Sequence, residues 1–97
     1  MPTHDETAQF LRDFKSLTPG EKTAFKKALK KFIEDVPSRV FRKSLRARGV
    51  QGATNIFEMT WEGEDGRATF EYGDEVRRGE PHIIWRRIGT HKIFEGT

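Results

Sequence analysis

The chain has 97 residues, of which 34 % are hydrophobic and 34 % charged, with 18 Lys and Arg against 15 Asp and Glu for a formal charge of +3. That length suits one domain, 1–97, with a single modest core, and eight Phe and two Trp supply the bulk to fill it. There is no Cys, which excludes disulfides and thiolate zinc sites and fits a cytoplasmic protein. No apolar run approaches the ~20 residues that cross a bilayer, and the polar start "MPTHDETAQF" does not resemble a secretory signal. The histidines at 4, 82 and 91 lack metal-ligand spacing, so neither a metal nor a cofactor is expected.

Two helices come first. Phe10, Leu11, Phe14 and Leu17 repeat at helical spacing. The turn "LTPGE" then offers Thr18 as N-cap, Pro19 as first helical residue and Glu21 as the capping-box partner. In the next segment Phe25, Ala28, Leu29, Phe32, Ile33 and Val36 form one stripe, and Pro37 marks its end. Lysines opposite the stripe read chiefly as a solvated face. The result is an αα-hairpin with one apolar face that something else must cover.

Strands follow. "FRKSLRARGV" is predicted as the first and "NIFEMTW" as the second, with Phe57, Met59 and Trp61 on one side. "EGEDG" carries the Asp-Gly hairpin signal before "RATFEY", where Ala68, Phe70 and Tyr72 share a face and Arg67, Thr69 and Glu71 share the other. After "GDEVRRGEP", "HIIWRRI" closes the sheet. The predicted fold class is α+β: two helices packed on a four-stranded, mainly antiparallel sheet in the order ααββββ. One sheet face is then left open for a ligand.

Charge is segregated along the chain. No acid occurs from Val36 to Phe57, while Arg39, Arg42, Lys43, Arg46 and Arg48 fall within ten positions. This suits a polyanionic partner, with Arg42, Lys43, Arg46 and Arg48 as candidates for gripping an RNA backbone. The last strand is ambiguous, because neither parity of "HIIWRRI" is purely apolar. With Ile84 and Ile88 in the core, Trp85 and Arg87 stand on the open face near Arg67, and Arg86 snorkels at the margin. Trp85 could then stack on a base, although a tryptophan is more often packing. Arg87 and His91 would be ~13 Å apart on a straight strand, and Gly89 between them permits a bend that would bring the imidazole back. Two arginines and a histidine can cleave RNA without metal, the arginines stabilising the phosphorane and the histidine moving a proton. Glu58 reads as an arginine's structural partner, His82 as a strand-entry residue and His4 as a terminal residue of no particular role.

The order "FRKSLRARGVQG…IFEMTW…GRATFEYG…HIIWRRIGTHKIF" resembles the RelE/ParE superfamily of toxins from type II toxin–antitoxin modules. The resemblance implies a messenger-RNA endonuclease acting on the ribosome and held inactive by a cognate antitoxin. It also implies catalytic roles for Arg67, Arg87 and His91, with Phe94 as a packing or stacking residue beside them. "KSLRARGVQG" holds no carboxylate, so no general base is assigned. The alternatives are a non-enzymatic ParE-like toxin that binds DNA gyrase, or an inactive relative that binds only RNA or an antitoxin.

Overall fold

The computed structural model describes residues 2–50, 52–62 and 66–90. The chain runs β1 (Thr3–Glu6), α1 (Ala8–Lys15), α2 (Pro19–Asp35), a single 3-10 turn (Lys43–Leu45), β2 (Arg48–Gly49), β3 (Ile56–Glu62), β4 (Gly66–Gly73) and β5 (His82–Thr90). The sheet has five strands in the order β1-β5-β4-β3-β2. β1 lies parallel to β5 and the other pairings are antiparallel. The α+β class holds, but the expected four-stranded antiparallel sheet is corrected to a five-stranded mixed one.

The added strand is "THDE", which carries no apolar alternation and so gives no strand signal. Polar contacts hold it instead. Thr3 N–H donates to the Pro81 carbonyl at 3.0 Å and Thr7 N–H to that of Trp85 at 3.0 Å. His82, 6 % exposed, sits between Thr3 Oγ1 at 2.7 Å from Nδ1 and Asp5 Oδ2 at 3.0 Å from Nε2. A carboxylate can only accept, so Nε2–H donates to Asp5, while Nδ1 shares a hydrogen bond with the Thr3 hydroxyl. His82 therefore clamps β1 rather than merely opening β5. His4, on the same strand, pairs with Glu6.

Both helix starts are capped. Thr7 Oγ1 accepts from Phe10 N–H at 3.1 Å and donates to the Arg86 carbonyl at 2.8 Å, tying α1 to β5. The capping box of α2 forms as expected, with Glu21 N–H to Thr18 Oγ1 at 3.1 Å and Thr18 N–H to Glu21 Oε1 at 2.8 Å. The predicted first strand is corrected as well: "FRKSLRARGV" forms the 3-10 turn and only two strand residues. Leu45 drops into the core, and Arg46 takes the left-handed conformation, φ 46°, that ends the turn.

Trp85 is the hub of the core at 4 % exposure. Its ring centroid lies 5.0 Å from Phe32, 5.5 Å from Phe70, 5.8 Å from Phe25 and 5.9 Å from Phe10. A β-bulge makes this possible. Thr69 pairs with Arg87, but Phe70 pairs with Trp85, so Arg86 is the extra residue. Either side of it, Ile83, Trp85 and Ile88 all face the helices and are buried, although their parity differs. Ile84 is only half-buried. The assignment of Ile84 to the core and Trp85 to the open face is thus reversed, and Trp85 is not available to stack on a base. Arg86 turns outward to Glu71 at 2.7 Å.

Beyond the end of β1, α1 covers the free edge of β5. Asp13 accepts from Arg87 Nε at 2.9 Å, Arg87 Nη2 at 3.4 Å, Ile88 N–H at 3.2 Å and Gln9 Nε2 at 2.9 Å. Burial alone would raise its pKa, but hydrogen bonds from Arg87, Gln9 and the Ile88 backbone outweigh it, and the carboxyl is held below its usual value. Asp13→Ala leaves a strand-edge N–H and a half-buried guanidinium without their acceptor. Urea unfolding should show a loss of about 1–3 kcal/mol.

Asp35, the last residue of α2, accepts from Arg42 Nε and Nη2 at 2.8 Å each and from Arg42 N–H at 3.0 Å. These bonds lower its pKa to about 2. A depressed carboxylate pKa stabilises the fold above the unfolded value of ~3.9 and ceases to do so as pH falls toward the folded one. The stability gap between wild type and Asp35→Asn should therefore be open at pH ~5 and close by pH ~2, read by urea melts across that window.

Candidate nucleic-acid interface

At about 100° per residue, α2 presents lysines on both shoulders of its apolar stripe. Lys22, Lys26 and Lys30 fall on the Leu29–Ile33 side, and Lys27 and Lys31 on the Ala24–Ala28 side. The second shoulder borders a cleft of about 580 Å³, closed opposite by the Lys43–Arg46 turn and floored by Thr60 and Trp61 at the end of β3. Lys27, Lys31, Lys43 and Arg46 line it, and no carboxylate does so among the described residues. Four like charges around one concavity, with a Debye length of ~8 Å at physiological salt, reinforce one another rather than being screened apart.

The floor of the cleft adjoins the open sheet face. Thr60 is the cross-strand partner of Arg67, and Arg67 that of Gly89. Arg87 pairs with Thr69, one step along the same face. Arg67 and Arg87 are therefore diagonal neighbours, a relation that typically sets Cβ atoms ~7–8 Å apart. This is the expected juxtaposition of Arg67 and Arg87, reached here with a bulge at Arg86; Gly89 itself stays in register with β4.

The two arginines are held differently. Arg67 is half-buried, and its Nη1 donates to the Gly66 carbonyl at 3.1 Å. Its own carbonyl accepts the Trp61 indole N–H at 2.9 Å, so a second bulge, at Trp61, fixes the strand that carries it. Arg87 is gripped by Asp13 through Nε and Nη2. A guanidinium has five N–H donors, so that grip orients Arg87 and leaves the other N–H bonds for a ligand. His91 and Phe94 lie outside the described residues.

The basic cluster of the sequence divides. Lys43 and Arg46 face the cleft. Arg42 is taken by Asp35 and, at 3.3 Å, Glu34, which hold its guanidinium protonated ever more firmly. Arg48 donates to Glu58 at 2.8 Å, so Glu58 is an arginine's partner, though of Arg48 rather than of Arg67 or Arg87. Lys27 and Lys31 are the residues that sequence reasoning passed over as solvated face. Their helical angle was readable, but only the tertiary fold sets the Lys43–Arg46 turn opposite them. Among the described residues no group of His, Cys, Asp or Glu is arranged to hold a metal, and no helix is long and apolar enough to cross a membrane.

In sequence, no family model and no curated protein matches the chain. In structure, the toxin–antitoxin complex DinJ–YafQ of E. coli aligns with TM-score 0.71 at 16 % identity, covering 95 % of this chain and 94 % of that one. A metal-bound toxin from Helicobacter pylori aligns with TM-score 0.64 at 15 % identity, covering 96 % and 98 %. The RelB–RelE antitoxin–toxin complex of Methanococcus jannaschii aligns with TM-score 0.60 at 18 % identity, covering 94 % of each chain. The two capped helices, the five-stranded mixed sheet and these near full-length superpositions agree: the chain has the RelE-like toxin fold.

Proposed function

We propose that this protein is the toxin of a toxin–antitoxin module and that it cuts messenger RNA, on the ribosome and in the cytoplasm. The observation that carries the reading is the cleft lined by Lys27, Lys31, Lys43 and Arg46, with no carboxylate in its lining among the described residues, whose floor residue Thr60 shares a cross-strand row with Arg67. A ribose–phosphate chain lying in that cleft would run onto the face that carries Arg67 and Arg87. The fold's likeness to YafQ and RelE, both seen with antitoxins, supports an antitoxin as the protein partner.

In this reading the 2′-hydroxyl oxygen attacks the adjacent phosphorus, its proton passing to solvent water, and the bond to the 5′-oxygen breaks, leaving a cyclic phosphate end and a 5′-hydroxyl. Arg67 and Arg87 stabilise the charge that builds on the non-bridging oxygens. Asp13 keeps Arg87 in one posture and so spares reorganisation as that charge develops. His91, which follows Thr90, protonates the departing oxygen. A second reading draws on the same Asp13–Arg87 pair: it gives Arg87 a structural task, which suits a gyrase-binding or RNA-binding relative that does not cleave.

Primer extension on a reporter messenger in a reconstituted translation system separates the two. Cleavage within codons should require ribosomes and should fall by about 10²–10⁴-fold in His91→Ala and by about 10²–10³-fold in Arg67→Ala. Unchanged toxicity in the double variant would overturn the nuclease reading in favour of gyrase.

Binding to a single-stranded RNA oligonucleotide should weaken steeply with salt. Lys43→Ala with Arg46→Ala should flatten the plot of log K against log salt by about 1.4, since each lost phosphate contact removes ~0.7. Arg42→Ala should leave that slope unchanged, its charge being held by Asp35 and Glu34. A flat response in the wild type would remove the cleft as an RNA site.

A further inference from the structure

A concavity of different chemistry opens at the other end of β3, between the segment that follows α2, β2 and the helix-facing side of β3 and β4. It measures about 290 Å³, at the small end of ligand pockets, which run from ~300 to ~1,000 Å³. Its walls are aromatic. Phe70 is a fully buried floor, the Phe57 ring stacks 5.7 Å from it at 23°, and the Tyr72 ring stands 5.4 Å from Phe57 at 74°. Phe41 closes one side, and Phe41, Phe57 and Tyr72 are each only half-buried. Part of each ring is thus left to whatever enters.

The rim is cationic and polar. The Arg39 guanidinium lies over the Tyr72 ring, 4.2 Å from its centroid. Among the described residues no carboxylate pairs with Arg39, whereas Arg42 is held by Asp35. Arg48 spends its Nε on Glu58 and is otherwise largely exposed, so its terminal N–H groups remain available. Asn55 donates from Nδ2 to the Tyr72 carbonyl at 3.0 Å, which fixes its carboxamide at the pocket and leaves Oδ1 to accept. Arg39 and Asn55 both take the left-handed conformation, with φ of 59° and 61°. Side chains other than Gly seldom adopt it, and here two of them converge on one pocket.

We infer that this pocket binds a nucleobase, with the phosphate of the same nucleotide held by the arginines at its rim. A planar base stacks on aromatic rings and on guanidinium planes, and an anion on the same ligand suits Arg39 and Arg48. An aliphatic side chain would fill the hollow but leave both arginines without an anion. None of these residues lines the basic cleft or belongs to the Arg67 and Arg87 face, so the inference stands whether or not the chain cleaves RNA. Phe57 and Trp61 are on the same side of β3 and four residues apart, ~13 Å along the strand. A base of a single strand lying in the cleft could therefore reach the pocket, and a free nucleotide carries the same chemistry.

The test uses the full chain and 2-aminopurine riboside 5′-monophosphate, whose fluorescence falls when its base stacks. The same base at the centre of an otherwise abasic single-stranded DNA is the second probe; it lacks a 2′-hydroxyl at every position, so cleavage does not enter. Saturable quenching is expected with both. AMP should compete at least tenfold better than ribose 5-phosphate. Arg39→Gly keeps the left-handed backbone accessible while removing the guanidinium, and it should weaken binding about tenfold. Tyr72→Leu should weaken it by about tenfold or more through the lost ring face, and Tyr72→Phe should restore it to within about twofold. Lys43→Ala with Arg46→Ala should leave the free nucleotide unaffected. Tighter binding of the strand assigns the pocket to a base of a nucleic acid, and equal binding to a free nucleotide; either supports the site.

Absence of quenching would overturn the proposal. Equal competition by ribose 5-phosphate would do the same, since the arginines would then hold only an anion. So would quenching unchanged in Arg39→Gly, or loss of free-nucleotide binding in the Lys43/Arg46 variant, which would return the ligand to the cleft. Arg39 is exposed, and a thermal melt confirms that its variant folds, so Arg39→Gly decides the matter even where Tyr72→Leu is unstable.

Discussion

At Arg86 the last strand takes up one residue more than its neighbour, and every side chain beyond that point changes face. Without this insertion Trp85 and Ile88 could not both reach the helices, and the aromatic cluster of Phe10, Phe25, Phe32 and Phe70 would lose its centre. The same insertion sets Arg87 on the face of Arg67. Core and candidate site thus depend on one backbone irregularity, as is common for bulges beside functional surfaces. Asp13 and Thr7 of the α1 region then hold the backbone on either side of it, at the Arg86 carbonyl and the Ile88 N–H.

The second organising element is α2. Its buried stripe joins it to the sheet, and its lysines stand in two rows, one lining the cationic cleft and the other beside the apolar residues Leu29 and Ile33. A helix whose outer surface were simply solvated would need no such division of neighbours. Carboxylates near the end of the helix, Glu34 and Asp35, remove Arg42 from the field. The cationic surface is thereby narrowed to Lys43 and Arg46 opposite Lys27 and Lys31.

Much of this was legible in the residues themselves. The helix stripe, the Thr18–Glu21 capping box and the alternation in β3 and β4 follow from local periodicity and local hydrogen bonding, and they formed as read. What was not legible depends on partners distant in the chain. "THDE" has no strand pattern of its own, and only the edge of β5 makes it one. "FRKSLRARGV" has strand-like spacing, but Asp35 captures its second residue and the core captures Leu45. The parity conflict in "HIIWRRI" was visible as a conflict; its resolution by a bulge at Arg86 was not, because a bulge leaves no composition signal when the extra residue is an arginine. That Arg67 and Arg87 share a sheet face could be read once Ile88 was placed in the core. That Lys27 and Lys31 border a cleft could not, because only the tertiary fold sets Lys43 and Arg46 opposite them.

The parallel pairing of β1 with β5 has a temporal side. Thr3 and His82 are 79 positions apart, and "THDE" finds its strand partner only in 81–85. β5 is interior to the sheet, flanked by β1 and β4, and it carries Trp85. As the chain emerges during synthesis, the helices and the β3–β4 hairpin can form early, being local in contact. The core has no centre and the arginine face no second arginine until β5 is made. Long-range closure of this kind is slow relative to local structure, and it delays the complete cationic face until the last strand is in place.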